Sequence, residues 1–154
     1  MAEISEDLRS THRRIWTIGL SFCLLLPLLL LGLAEEGFLP PGTYPVEGVY
    51  QQVGYTFTGL VFLVAAWVAW RRGQVLKAFR TQAPAERPRI LVRETLLYAV
   101  LAGTSALWGA LYWVLVGWNA FRHVLAFLFL TPAMFLFFVP GLDIWVRALK
   151  EETP

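Results

Sequence analysis

Four long apolar stretches without a charged residue limit what this chain can fold into. They cover residues 15–34, 54–70, 95–117 and 124–142. An α-helix rises about 1.5 Å per residue, so roughly 20 apolar residues cross a hydrocarbon core that is about 30 Å thick. We therefore expect an all-α integral membrane protein, with four transmembrane helices in one compact bundle that forms a single domain over residues 1–154.

Helices are the expected form of these spans, because lipid offers no hydrogen-bond partner to an unpaired backbone group. The leucine-rich first stretch lacks the polar–apolar alternation of a transmembrane β-strand. Charged residue types make up 16% of the chain, against about 25% in average soluble domains. Apolar types make up 57%, which excludes a disordered chain. The single cysteine, Cys23, cannot close an intrachain disulfide.

The distribution of positive charge predicts the orientation of the spans. Of the 13 lysines and arginines, Arg122 alone lies in the predicted outer segments; the others lie in the two tails or in a basic inner loop at residues 71–93. The positive-inside rule then places both termini and this loop in the cytoplasm, and an outer loop at residues 35–53 outside. We expect a multi-pass protein of the bacterial inner membrane.

The basic inner loop also indicates a lipid partner. Each lysine or arginine near an anionic membrane surface contributes about 1 kcal/mol to attraction. We expect Arg71, Arg72, Lys77 and Arg80 to face anionic lipids of the inner leaflet. Setting the topology is the simpler explanation of the same charges, because every polytopic protein needs this asymmetry.

Two alternatives leave the topology open. The basic start, the leucine-rich stretch and Gly32-Leu33-Ala34 also fit a secretion signal, whose cleavage would leave three spans. The stretch 15–34 exceeds the roughly 7–15 apolar residues of such signals, which favours an uncleaved span. The similar flanks of spans one–two and three–four are compatible with two similar hairpins, although positive-inside flanks alone produce much of this likeness.

The third span has the clearest packing face. Its small residues recur at helical spacing and would allow neighbouring backbones to approach closely. We expect this span to be central, with the other helices packed around the face formed by Ala102, Ser105, Ala106, Gly109 and Ala110.

One polar group of residues is a candidate site at the outer surface. Arg122 and His123 begin the fourth span, and the outer loop supplies three carboxylates that could meet them: Glu35, Glu36 and Glu47. An interfacial charge anchor is the simpler interpretation of these residues.

Catalytic and cofactor-binding patterns are missing from the sequence. The spans hold no ionisable residue at their centres, which argues against a proton-coupled transporter. Topology places His12 and His123 on opposite faces of the membrane, so they cannot ligate one haem iron together. We expect no catalytic residue, no metal, no cofactor, no nucleic-acid partner and no enzyme activity.

Three functions fit these observations. The first is a structural or accessory subunit of a larger membrane complex, which associates with other membrane subunits or with itself. The second is an oligomeric transporter or channel for a neutral or apolar solute. The third is a membrane enzyme that binds a lipid or quinone near Arg122 and His123. The missing intramembrane charges favour the first.

Overall fold

The computed structural model describes residues 6–43 and 47–150, apart from the side chains of Glu47 and Lys150, and this part of the chain is helical except for short connections. A 3₁₀ turn, Gly117–Ala120, joins the third helix to the fourth. No strand occurs among the described residues. The α-helices in chain order are α1 (Glu6–Glu35), α2 (Glu47–Thr81), α3 (Arg87–Val116), α4 (Phe121–Phe138) and α5 (Leu142–Lys150).

Three helical runs in the described residues are long and apolar enough to cross a membrane. They are Glu6–Glu35, Gly48–Thr81 and Arg87–Leu149. The third run is much longer than the others and is bent, because it contains the 3₁₀ turn and a break at Pro140. For the described residues, the expectation of a helical chain with helices long and apolar enough to cross a membrane is confirmed.

Helix α4 packs against α3 in the opposite direction. The Ser105 hydroxyl donates a hydrogen bond to the Phe127 carbonyl, with an oxygen–oxygen distance of 2.8 Å. One turn later on α3, Gly109 faces Phe127 and Val124. Because later residues of α3 meet earlier residues of α4, the two helices are antiparallel neighbours.

Helix α3 contacts α1, α2 and α4, and most of its small residues are buried in these contacts. Ala102, Ser105, Ala106 and Gly109 are buried, whereas Ala110 is half-buried. Gly103 lies against Phe22 of α1. Small side chains therefore line the contacts of α3 with its neighbours, as close helix packing in lipid requires.

A second apolar cluster joins four helices at one end of the bundle. It consists of Leu8, Ile15, Phe79, Leu91 and Trp145. The Trp145 ring of α5 packs on Phe79 of α2, with centroids 4.7 Å apart. We call this the basic end, because the arginines at the start of α1 and on both sides of residues 82–86 surround it.

The opposite end carries the segment 36–43 and the 3₁₀ turn. Three aromatic rings pack together there: Trp113, Trp118 and Phe121. We call this the aromatic end. The two histidines lie at opposite ends: His12 is buried beside the Pro140 carbonyl, with an Nε2–O distance of 3.3 Å, whereas His123 begins α4.

Both connecting loops are shorter than the sequence predicts. Residues 71–81 continue α2 and residues 87–93 already belong to α3, so the inner loop of 71–93 reduces to 82–86. Arginine, lysine and glutamine are good helix formers, and helix ends can extend beyond the apolar core. At the other end α2 begins at Glu47, inside the expected outer loop of 35–53.

The fourth helix also ends earlier than expected. It stops at Phe138, rather than continuing to Leu142. Val139 precedes a proline and adopts an extended conformation, with ψ at 120°, because the proline ring disfavours the helical region for the residue before it. The break separates α5, which packs against α2 at the basic end.

We expect Gly109→Leu to lower the free energy of unfolding by about 1–3 kcal/mol, the usual cost of overpacking. A Cβ at residue 109 would lie 3.0 Å from the Phe127 Cβ, so α3 and α4 would have to separate. Thermal unfolding in a mild detergent measures the loss. Gly59→Leu is the control, because a Cβ there meets no atom within 4 Å. Equal unfolding temperatures for the two variants would contradict the packing role.

Candidate functional site

The predicted outer polar group lies at the aromatic end, and four of its five side chains are described. Glu35 ends α1, Glu36 follows it, and Arg122 and His123 begin α4. All four side chains are exposed, and among the described residues no ion pair joins them. The side chain of Glu47 lies outside the described set. His123 instead packs edge-on against Tyr112, with ring centroids 6.2 Å apart.

An apolar cavity of about 240 Å³ lies close to these residues, between the end of α1 and the start of α4. Helix α3 closes it from behind. Glu35 and Trp118 are its two exposed members and stand at its rim. The remaining lining residues are apolar: Leu30, Leu31, Ala34, Leu39, Ala110, Trp113, Phe121, Val124 and Leu128.

Helices α1 and α4 approach closely at a point further down the bundle than the cavity. A Cβ at Gly19 would lie 2.6 Å from the Phe135 ring, which marks the point of close contact. Trp16 packs on the same ring, at a centroid distance of 5.6 Å. Pro27 of α1 lies between this contact and the cavity. A proline inside a helix removes one backbone hydrogen bond and permits a bend, which is consistent with the opening beyond it.

The segment after α1 caps the aromatic end. The Leu39 carbonyl accepts a hydrogen bond from Nε1 of Trp113 at 2.8 Å. The backbone N–H of Gly42 donates to the Trp113 carbonyl at 3.1 Å. Gly117 has φ at 73° and lies directly against the Gly42 backbone. The left-handed conformation and the close contact both require glycine there. Trp113 is thus fixed as one wall of the cavity.

The lining determines which molecules the cavity can take. Apolar cavities stay dry, and one of about 150 Å³ accommodates a benzene ring. The space here is larger than that but smaller than the roughly 300–1,000 Å³ of a pocket for a whole drug-sized ligand. It therefore fits one aromatic ring or a segment of hydrocarbon chain, with the rest of the molecule outside the cavity.

The basic end holds a charged cluster that the sequence analysis missed. The Glu94 side chain is fully buried on α3. Arg71 of α2 binds both of its oxygens, through Nε and Nη2, each at 2.8 Å. Arg93 binds Oε1 through Nε at 3.1 Å and Nη2 at 2.9 Å. We call Glu94, Arg71 and Arg93 the Glu94 cluster.

A positional signal for this cluster is present in the sequence. Arg71 directly follows the uncharged stretch 54–70, and Glu94 directly precedes the stretch 95–117. If the two stretches cross the same layer in opposite directions, these residues share one depth. Glu94 also lies one turn from Leu91 and Tyr98, both of which are buried. The helical period therefore places Glu94 on the buried face of α3.

The four residues expected to face lipid from the basic loop have different environments. Arg71 belongs to the Glu94 cluster and also lies over the Trp67 ring, 5.4 Å from its centroid. Arg72 donates from Nη1 to the Phe137 carbonyl at 3.2 Å. Lys77 is exposed and Arg80 is half-buried. All four lie on α2 rather than in a loop, because that helix continues to Thr81.

Comparison with known proteins gives no relative: no protein-family model, no curated protein and no solved structure matches this chain. Among the described residues, no group of three or more His, Cys, Asp or Glu side chains could hold a metal ion.

We expect Glu94→Gln to lower the free energy of unfolding by about 1–3 kcal/mol. Removing one partner of a fully buried ion pair costs about 3–5 kcal/mol. The loss is smaller here because the Arg71 and Arg93 side chains are 30% and 67% exposed, so solvent screens them. Thermal unfolding in detergent measures the change. Glu86→Gln, the same substitution at an exposed residue, is the control; an equal effect in both variants would contradict the role of Glu94.

Proposed function

We propose that this chain is a four-span protein of the bacterial inner membrane that binds a lipid-soluble molecule at its aromatic end. The cavity between α1 and α4 carries this proposal. The occupant is a hydrocarbon chain or a ring of the lipid or quinone type. Its hydrophobic part lies among Leu30, Leu31 and Val124, and any polar head lies outside, near Glu35 and Arg122.

The position of the cavity supports a ligand that comes from the bilayer. Trp113, Trp118 and Phe121 form an aromatic layer at the helix ends, and tryptophan is enriched at membrane–water interfaces. The rings of Trp113 and Trp118 pack together with their centroids 4.9 Å apart, and this packing restricts the side chains that line the cavity. A molecule dissolved in the bilayer can enter beside Trp118, whose side chain is 69% exposed.

Two observations support four crossings with both termini on the cytoplasmic side. The start of α1, the end of α2, the start of α3 and α5 share one apolar cluster at the basic end. Helix α4 is antiparallel to α3, and its 18 residues extend about 27 Å, close to the hydrocarbon thickness of about 30 Å. The positive-inside rule then assigns the basic end to the cytoplasm.

Single cysteines can test this topology, because the natural Cys23 is fully buried and gives little background. We expect a membrane-impermeant maleimide to label Glu36→Cys and Asn119→Cys in intact cells. Glu86→Cys should react only after the cells are permeabilised. Labelling of Glu36→Cys without Asn119→Cys would mean that the turn between α3 and α4 does not reach the outer side, which would contradict the proposed topology.

Ala110→Trp tests ligand binding, because an indole at this half-buried position fills the cavity. The probe is a photoreactive diazirine fatty acid, and mass spectrometry maps its cross-links in purified protein. We expect cross-linking to Leu30, Leu31 and Val124 in the wild-type chain. In the variant, the yield of these cross-links should fall about tenfold or more, and a tenfold loss corresponds to about 1.4 kcal/mol of binding free energy. This loss is expected because one buried apolar side chain contributes about 1.5–3 kcal/mol.

The control for this experiment is Ala66→Trp, which adds the same indole to an exposed position on α2. Its cross-linking to the cavity residues should equal that of the wild-type chain. A short-chain quinone added as competitor distinguishes the two ligand types, since it displaces the fatty acid only if the cavity also accepts a quinone. Uniform cross-linking along all helices, unchanged by Ala110→Trp, would contradict the proposal.

An accessory subunit of a membrane complex is the second candidate function. The observation that favours it is the exposed aromatic face of α2, where Tyr55, Phe62 and Trp70 are 74%, 68% and 62% exposed. Lipid contact explains the same exposure. Native mass spectrometry in mild detergent separates the two candidates: a retained lipid or quinone supports the binding protein, whereas a co-purified membrane subunit at fixed stoichiometry supports the accessory role.

The third candidate, an oligomeric transporter, has less support. The bundle centre is filled by Cys23, Ala102 and Phe135, all of them buried. The cavity is confined to the aromatic end, and its lining does not include the mid-span threonines Thr58, Thr104 and Thr131. A conducting path would therefore have to form between several copies of the chain.

A further inference from the structure

The Glu94 cluster holds two positive charges against one negative charge. Nη2 of Arg71 and Nη2 of Arg93 both contact the same oxygen, Oε1 of Glu94, at 2.8 and 2.9 Å. The two nitrogens therefore lie no farther apart than the sum of these distances. Two guanidinium groups are fixed side by side, and the cluster keeps one uncompensated positive charge.

Both guanidinium groups have donors left for another acceptor. A guanidinium has five N–H groups in a planar fork. Arg71 and Arg93 each direct two of their nitrogens at Glu94. The unused N–H groups lie on side chains that are 30% and 67% exposed. A planar fork with free donors binds phosphate oxygens in pairs, through charge-assisted hydrogen bonds.

The cluster lies at the depth of lipid headgroups in the proposed membrane placement. Trp67 and Trp70, which precede Arg71, are 41% and 62% exposed, and tryptophan side chains favour the interface. The neighbouring Arg72 binds the carbonyl of Phe137, at the end of α4. At this level the uncharged stretch 54–70 ends and the uncharged stretch 95–117 begins.

From this geometry we infer that Arg71 and Arg93 bind the phosphate of an anionic membrane phospholipid, with Glu94 as the residue that positions both guanidinium groups. The inference rests on the membrane placement in the proposed function, but not on the cavity, which lies at the other end of the bundle. It assigns the lipid contact to two particular arginines, whereas the positive-inside pattern involves all of them equally.

Substitutions that keep the charge test this site most sharply. Lysine has the charge of arginine but lacks the planar fork, so Arg93→Lys should weaken a bidentate phosphate contact. Arg89→Lys is the matched control: Arg89 is also exposed on α3 and lies outside the Glu94 cluster. Arg93→Lys retains an ammonium for Glu94, and its unfolding temperature is measured alongside to establish that the variant is folded.

The assay uses the full chain in nanodiscs of phosphatidylcholine with a minority of phosphatidylglycerol. Native mass spectrometry after release from the nanodisc gives the number of molecules of each lipid retained per chain. We expect the wild-type chain and Arg89→Lys to retain phosphatidylglycerol preferentially. Arg93→Lys should reduce the phosphatidylglycerol retained per chain about tenfold, the effect of losing a charge-assisted hydrogen bond.

Two results would overturn the inference. If Arg93→Lys and Arg89→Lys both retain phosphatidylglycerol as the wild-type chain does, the attraction comes from surface charge alone. If the wild-type chain does not retain phosphatidylglycerol preferentially, while inorganic phosphate raises its unfolding temperature and Arg93→Lys abolishes this effect, the ligand is soluble phosphate rather than a lipid. Fatty-acid cross-linking at the cavity should be equal in all three proteins. A loss of cross-linking in the wild-type chain would therefore contradict the proposed function without contradicting the phosphate site.

Discussion

The close contact between α3 and α4 is the interaction on which the rest of the bundle depends. Lipid tails are as apolar as leucine side chains, so helices in a membrane associate through packing and hydrogen bonds rather than through loss of water. Gly109 lets the backbone of α4 approach, and the Ser105 hydroxyl binds the Phe127 carbonyl across the contact. The paired helices then supply the surface against which α1 and α2 pack.

The two ends of this bundle have contrasting chemistry. At the aromatic end, tryptophan and phenylalanine rings enclose an apolar space. At the basic end, a buried carboxylate is compensated by two arginines that remain partly exposed. A carboxylate without such partners would be costly there, because electrostatic interactions strengthen and hydration is lost as the surroundings become less polar. Each end therefore suits a different part of a lipid: a hydrocarbon chain at one, and a phosphate at the other.

The sequence was sufficient to predict helices long and apolar enough to cross a membrane, because uncharged stretches of about 20 residues have few other stable forms. It was less informative about where the helices end. Polar residues such as those in 71–81 form helix readily outside the apolar core, so hydropathy underestimates helix length. The pairing of Arg71 with Glu94 depends on the register between α2 and α3, which is a tertiary property. The cavity depends on how α1, α3 and α4 are placed relative to one another, and the hydrophobic period of a single helix does not specify this placement.

The contact between Gly42 and Gly117 has a consequence for the order of assembly. The segment after α1 rests on the end of α3 and on the turn into α4, both of which are synthesised much later. A ribosome-bound chain that has emerged only as far as α2 has no surface on which this segment can settle. The segment after α1 can therefore take up its final position only after α3 and the turn into α4 have been made. Residues made in the second half of synthesis thus complete the surroundings of a segment made in the first half.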